Sequence, residues 1–479
     1  MDKTENANSG KIVQSPPAAF SIRYLWHLSG RLLPLFSLLF ITIIYSHRLS
    51  LDEYSLFQSV WMYANVISVI IGYGVTTIIF SSDTSTLISF IKRNRKGIFT
   101  SYSILALAAC VIFYIVSDHF TVVLKLLVIL FIFLQFVNTI LETWIIRNEK
   151  QSQYLLINLA YAAFFFLWHL YIIFQPAFQL HFLIGGVIVL SALKMMLLFT
   201  IKPATTGTDT ITVATEIELK RHWAYAGIND IFGILSKWAD KLILIYLLTP
   251  GEFAIFFNGT IDIPFVAMFI SITGSYMMMR MASDKKNSEL TSHLFRENFL
   301  MISSFSFPLF FFLFFFRNEF FLIFFGEKYL PAVPIFAVSV FILLLRVNHF
   351  GGILQIHSRS DWVTIGSLID LIISSVLVFI LYHFFGMQGA ACAIVISTLV
   401  QLTYYLAKSS QLLGKSIAEL VPLRGLLTRL AVSGVSLFIV KMFLPSVSAT
   451  TSLILGALVM VVVIVASGWK YFRQMIKSS

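Results

Sequence analysis

The feature that most restricts this chain is a succession of apolar runs of about 20 residues, the length at which an α-helix crosses a ~30 Å hydrocarbon layer. They fall at 26–46, 56–80, 98–117, 122–141, 153–174, 180–200, 224–248, 253–279, 298–316, 331–350, 362–384, 388–407, 429–443 and 451–468. In lipid every backbone N–H and C=O has to be paired within the protein, so only helices and closed barrels span. A barrel would show segments of about 10 residues with alternating polarity, and the sequence has none. The expected fold class is all-α integral membrane, with about fourteen transmembrane helices. Composition agrees: 12% of residues are charged, against about 25% in a soluble domain.

The charges between the runs sort by side. With the N-terminus inside, cytoplasmic segments carry Lys92, Arg93, Arg95 and Lys96, then Arg147 and Lys150, and continue in this way to Arg473 and Lys477. The opposite side holds Arg48, Arg317 and Lys328. That asymmetry follows the positive-inside rule and places both termini in the cytoplasm. The net charge of +11 is thereby topological, and no nucleic-acid partner is expected. Residues 1–20 are polar and lack a signal peptide's apolar region, which reads as a cytoplasmic tail. Cys110 and Cys392 lie inside apolar runs as small hydrophobes, without metal or disulfide spacing. No metal or cofactor is expected.

Two loop-to-helix junctions read alike. Leu49-Ser50-Leu51-Asp52-Glu53-Tyr54-Ser55-Leu56-Phe57 matches Leu248-Thr249-Pro250-Gly251-Glu252-Phe253-Ala254-Ile255-Phe256 at a constant offset of 199 residues. Each contains an S/T-x-x-E capping box, in which the hydroxyl accepts from the N3 amide and the Glu accepts from the cap amide. Ser50, Glu53, Thr249 and Glu252 thus have structural roles. Six runs separate the junctions, so two parallel repeats are expected, with a site between them. The expected organisation is a tail at 1–21, a six-helix half at 22–200, a linker at 201–222, a second half at 223–408, and two additional helices with a tail at 409–479.

The chain resembles the polysaccharide flippases (Wzx-like), within the group that includes multidrug/toxin extruders and lipid II flippases. The resemblance rests on these junctions, on Trp238-Ala239-Asp240-Lys241-Leu242, on Phe325-Gly326-x-x-Tyr329-x-x-Ala332 and on Phe385-Gly386-x-x-Gly389-Ala390-Ala391. It implies a MATE-like fold and translocation of an undecaprenyl-diphosphate-linked oligosaccharide across a bacterial inner membrane. The implied partners are that lipid-linked oligosaccharide and membrane lipids, with a polysaccharide polymerase and a chain-length regulator as candidate protein partners. A cation-coupled multidrug/toxin extruder is the nearest alternative. A membrane glycosyltransferase or polymerase fits less well, because the longest external loop, 317–330, is too short for a catalytic domain. There is also no phosphate-cradling loop or nucleotide fingerprint, so an enzyme is not expected.

Ionisable residues at mid-depth cost about 2.5–3.5 kcal/mol each on insertion scales and mark pathways by default. Asp230, Lys237 and Lys241 recur on one helical face, with Asp240 beside them. One reading is a local Lys237–Asp240 ion pair. The other is a translocation face whose lysines attract a diphosphate, with Asp240, Asp262 and Asp370 as ion-coupling candidates. Arg31, also a translocation candidate, either snorkels or lines the pathway. It is 199 residues before Asp230, so the two could form a gate between the halves. Lys125, Lys194, Arg346 and Lys441 are expected to snorkel, and His169 and His383 to be interfacial. The seven mid-depth candidates sum to −1, and adding the four snorkelling cations gives +3.

Overall fold

The computed structural model describes residues 37–82, 84–147, 151–201, 213–282, 284, 287–444 and 447–477. Every regular element among them is helical. The helices up to residue 199, called the first bundle here, are α1 (37–48), α2 (Leu51–Gly72), α3 (Val75–Ser81), α4 (Thr84–Val116), α5 (Val122–Arg147), α6 (Gln151–Ile173) and α7 (Leu180–Phe199). The second comprises α8 (Val213–Leu244), α9 (Pro250–Gly259), α10 (Pro264–Ala282), α11 (Ser288–Phe315), α12 (Arg317–Phe324), a 3-10 turn (Glu327–Ala332), α13 (Val333–Ser339), α14 (Ile342–Leu345), α15 (Gly352–Ile356) and α16 (Ser360–Leu413). A short α17 (Ile417–Leu420) leads to α18 (Leu423–Met442) and α19 (Ala449–Lys477).

Ten helical segments among the described residues are long and apolar enough to cross a membrane. Phe99, Ile104, Leu107, Ile112 and Ile115 stand exposed along α4. A continuous apolar face of that size is stable against lipid and not against water. The protein is a multi-pass membrane protein.

Of the other expected spans, 26–46 lies partly outside the described residues, and local breaks or charges set the rest apart. The 54-residue α16 turns at Gly386, whose φ of 59° and ψ of −147° suit only glycine. Beyond that turn the chain doubles back, so that Tyr405 donates to the Val363 carbonyl at 2.9 Å and Gln401 to that of Gly366 at 3.3 Å. Runs 362–384 and 388–407 are therefore an antiparallel pair, as expected. Helix α8 crosses the second bundle despite its charges, packed along α16. Run 253–279, expected as one helix, is broken at 261–263. Pro264 is the cause: it has no N–H to donate and it disfavours helical geometry at the residue before it. Run 331–350 is interrupted too, with α14 ending at Arg346 and irregular backbone following.

Both expected capping boxes form. Glu53 Oε2 accepts from the Ser50 amide at 2.9 Å, and Glu252 Oε2 from the Thr249 amide at 2.9 Å. They lie against each other across the bundles: a methyl group on Gly251 would sit 3.7 Å from the Leu51 and Asp52 side chains. A third box, Ser416 with Glu419, starts α17 far from both junctions, so the motif alone does not mark a repeat.

The bundles touch at both ends. At the capped end Tyr54 donates to Asn258 at 2.7 Å and receives from Gln58 at 2.7 Å, both bonds buried. Lys328 also donates to the Leu49 carbonyl there, at 2.5 Å. At the opposite end Trp223 donates to the Tyr73 carbonyl at 2.9 Å, and Arg93 lies 3.3 Å from Glu216. The last two helices pack against α11, where Ser467 donates to the Ser304 carbonyl at 3.2 Å.

Candidate functional site

The break before Pro264 opens onto a cavity of about 370 Å³ within the second bundle. Irregular backbone at membrane depth is tolerated where it lines such a space. Thr260, Ile261, Asp262 and Ile263 form that wall. Helix α8 contributes Gly233, Ser236, Lys237, Asp240 and Lys241, positions that repeat every three to four residues on one helical face. Arg346, at the end of α14, and Asp370, on α16, complete the charged set.

The ion pairs are not the local Lys237–Asp240 pair of the first of the two readings. Lys237 Nζ lies 3.0 Å from Asp262 Oδ2, in the helix break. Asp240 instead pairs with its neighbour Lys241, at 3.2 Å. The two pairs have opposite character. Asp262 and Lys237 present 62% and 52% of their side chains to the cavity, whereas Asp240 and Lys241 present 1% and 10%. Lys241 is held further by the Trp238 and Phe257 rings, 5.5 and 5.4 Å from its Nζ, and by the Thr260 carbonyl at 3.5 Å. Cation–π contact and a carbonyl freed by the helix break thus stabilise an ammonium out of water.

Two carboxylates are incompletely satisfied. Asp370 Oδ2 accepts from Ser236, while its Oδ1 is buried without a partner. Asp240 Oδ1 is likewise buried and unpartnered. A buried acceptor left unmade costs on the order of 1–3 kcal/mol, and more when charged. No group of three or more His, Cys, Asp or Glu side chains able to hold a metal occurs among the described residues.

Of the seven candidate site residues, five meet in this cavity: Lys237, Asp240, Lys241, Asp262 and Asp370. Asp230, half-buried on α8, does not line it. Arg31, and with it the suggested Arg31–Asp230 gate, lies outside the described residues. Arg346 was expected to snorkel and instead lines the cavity, because α14 stops there and the chain does not carry the side chain on to the interface. Lys237, Lys241 and Arg346 against Asp240, Asp262 and Asp370 leave a net charge of zero.

Three further expectations need correction. Lys194 is buried and sits 2.5 Å from Glu142, not at an interface. His169 is fully buried, ringed by Tyr45, Phe57, Trp61 and Phe165. Lys125 is buried as well, donating to the Tyr114 carbonyl at 2.8 Å, and Lys441 pairs with Glu319.

The chain superposes on the lipid II flippase MurJ, in an inward closed conformation, with a TM-score of 0.72 at 12% identity, covering 95% of this chain and 100% of that one. The fold is one shared with flippases and multidrug transporters. An inward-facing multidrug resistance MATE family transporter of the MOP superfamily gives a TM-score of 0.55 at 13% identity, over 81% of this chain and 98% of that chain. The Vibrio cholerae MATE transporter VcmN in its bent form gives 0.54 at 12% identity, over 82% and 96%. No family model and no curated protein matches the sequence. The likeness to MurJ covers 95% of the chain, whereas the MATE structures cover about four-fifths of it.

Proposed function

We propose that this protein is a flippase that moves an undecaprenyl-diphosphate-linked oligosaccharide repeat unit across the bacterial inner membrane, for O-antigen or capsule assembly. The observation that carries the reading is the pair Lys237–Asp262, exposed to a cavity at membrane depth and formed against a broken helix. Discontinuous helices next to a midplane cavity are where transporters of repeated architecture bind their cargo. A diphosphate oxygen would displace Asp262 from Lys237, exchanging one charge-assisted hydrogen bond for another. The displaced carboxylate would find Arg346 on the same wall.

In this reading Asp370 does the coupling, its unpartnered carboxylate oxygen being where a coupling cation binds, and Asp240 holds Lys241 in place. The two bundles rock against each other, breaking the contacts of one end at a time. Membrane lipids surround the tail, and a polymerase and chain-length regulator receive the product.

A second reading, a cation-coupled multidrug extruder, is favoured by one observation: the cavity's charges balance, so it is not the strongly cationic chamber an anionic cargo prefers. A deletion strain complemented with wild type, Lys237→Ala and Asp262→Ala separates the two. Loss of surface polysaccharide with lipid-linked repeat units accumulating inside, unrelieved by the expressed variants, supports the flippase. Intact surface glycan with new sensitivity to toxic cations replaces it with the extruder.

A further inference from the structure

The first bundle contains a cavity of its own, about 460 Å³, between α2, α5, α6 and α7. Its wall sets polar side chains among apolar ones, although it lies among membrane-spanning helices. Asn65, Gln135, Asn138 and Asn158 bring four side-chain amides to it. Two of these are nearly inaccessible and incompletely bonded: Asn158, 2% exposed, has no partner for Nδ2, and Asn138, 6% exposed, has none for Oδ1. Asn138 Nδ2 is fixed by the Ser191 carbonyl at 3.0 Å, so the orientation of its Oδ1 is set. The indole N–H of Trp61, on the same wall, is also unpartnered.

The two charges present cancel. Lys194 is held by Glu142 at 2.5 Å and by the Tyr161 ring, 4.4 Å from Nζ, and Tyr154 donates to Glu142 at 3.3 Å. No net charge is left to recruit an ion. What remains is one acceptor and two donors without partners, aromatic faces from Trp61, Phe131 and Phe165, and a volume suited to a small ring. Unpartnered buried polar atoms of both kinds are costly unless a ligand or ordered water completes them. A neutral polyhydroxy ring both donates and accepts at every hydroxyl, and its C–H face packs on aromatic rings.

We propose that this first-bundle cavity binds a sugar residue, separately from the charged cavity of the second bundle. The assignment deepens the proposed function, on which the choice of a sugar rests. It divides the labour: the second bundle takes the charged part of the cargo and the first takes an uncharged glycosyl unit.

The test is isothermal titration of the purified full chain in lipid nanodiscs with cellobiose, mannobiose and N,N′-diacetylchitobiose. At least one should bind wild type. Asn158→Leu, which removes an unpartnered buried donor, should weaken that binding by about tenfold, Thr139→Val, which removes a wall hydroxyl, should weaken it as well, and Lys237→Ala should change it less than about twofold. Thr139 lines the cavity from an exposed position and serves as the variant least at risk of misfolding. The proposal is overturned if none of the three sugars binds, which would leave ordered water as the occupant, or if neither first-bundle variant weakens binding. Sugar binding without any flipping of lipid-linked oligosaccharide would sink the flippase reading and leave this site standing.

Discussion

Lys237 reaches across from α8 to Asp262 in the break between α9 and α10, 3.0 Å away, and ignores Asp240 one turn along its own helix. The partner it takes is on a different element, so the pair reports the relative position of two elements within one bundle. A pair more than half open to the cavity is also one that a ligand can reach.

Either single neutralisation, Lys237→Ala or Asp262→Ala, is expected to lower transport at least tenfold while shifting Tm only a little, because both side chains are solvated by the cavity. The exchange Lys237→Asp with Asp262→Lys should recover part of the loss if the pair positions the break. Flipping of fluorescently labelled lipid-linked oligosaccharide in proteoliposomes measures this. Full activity in both single variants would remove the pair from the mechanism.

Asp240 is the buried counterpart and should behave differently. Removing its charge leaves Lys241 with the Thr260 carbonyl and two aromatic rings. Breaking a buried pair costs about 3–5 kcal/mol, so Asp240→Asn is expected to show as a clear drop in Tm. Asp370→Asn keeps an acceptor for Ser236 and should preserve stability, but it should flatten the dependence of transport on the coupling cation. Thermal unfolding beside transport at varied cation concentration tells the two roles apart, and an Asp370→Asn variant with unchanged cation dependence would exclude it from coupling.

Much of this site was legible in the chain. The 7- and 4-residue steps of Asp230, Lys237 and Lys241 on a helical period place the lysines on one face, and they share it. The partners were not legible, because helix periodicity describes one helix and ion pairs are chosen between helices. Asp262 also belonged to a run whose apolar count outweighs its Pro264, although that proline is the local signal for the break. Glu142 fell one residue past an expected span end, so Lys194 had no visible mate. The amides of the first bundle, Asn138 and Asn158, stand inside apolar runs and carry no charge, which made them the easiest signal to pass over.

Pro264→Ala tests the break directly. With its N–H restored and the clash removed, α9 can continue towards α10, drawing Asp262 away from Lys237. The expected outcome is reduced transport with equal or higher Tm, since a continuous helix satisfies more of its own backbone. Unchanged transport would mean that the break is incidental to the cavity's work.

The capped ends give a prediction in pH. Glu252 accepts from the Thr249 amide at 2.9 Å and from its hydroxyl at 2.8 Å, and those bonds hold its carboxyl below the ordinary glutamate range. The sign follows from that direction. A carboxylate whose folded pKa is depressed contributes stability above its unfolded value, about 4.3, and loses it as pH falls through the folded value. Thr249→Ala removes the hydroxyl and should cost about 0.5–2 kcal/mol near neutral pH, with the difference from wild type narrowing once the medium is acidic enough to protonate Glu252. Melting curves of both proteins in nanodiscs from neutral to strongly acidic buffer measure it. A gap that stays constant through the carboxylate range would mean that the cap acts through the hydroxyl alone and that the Glu252 charge contributes nothing.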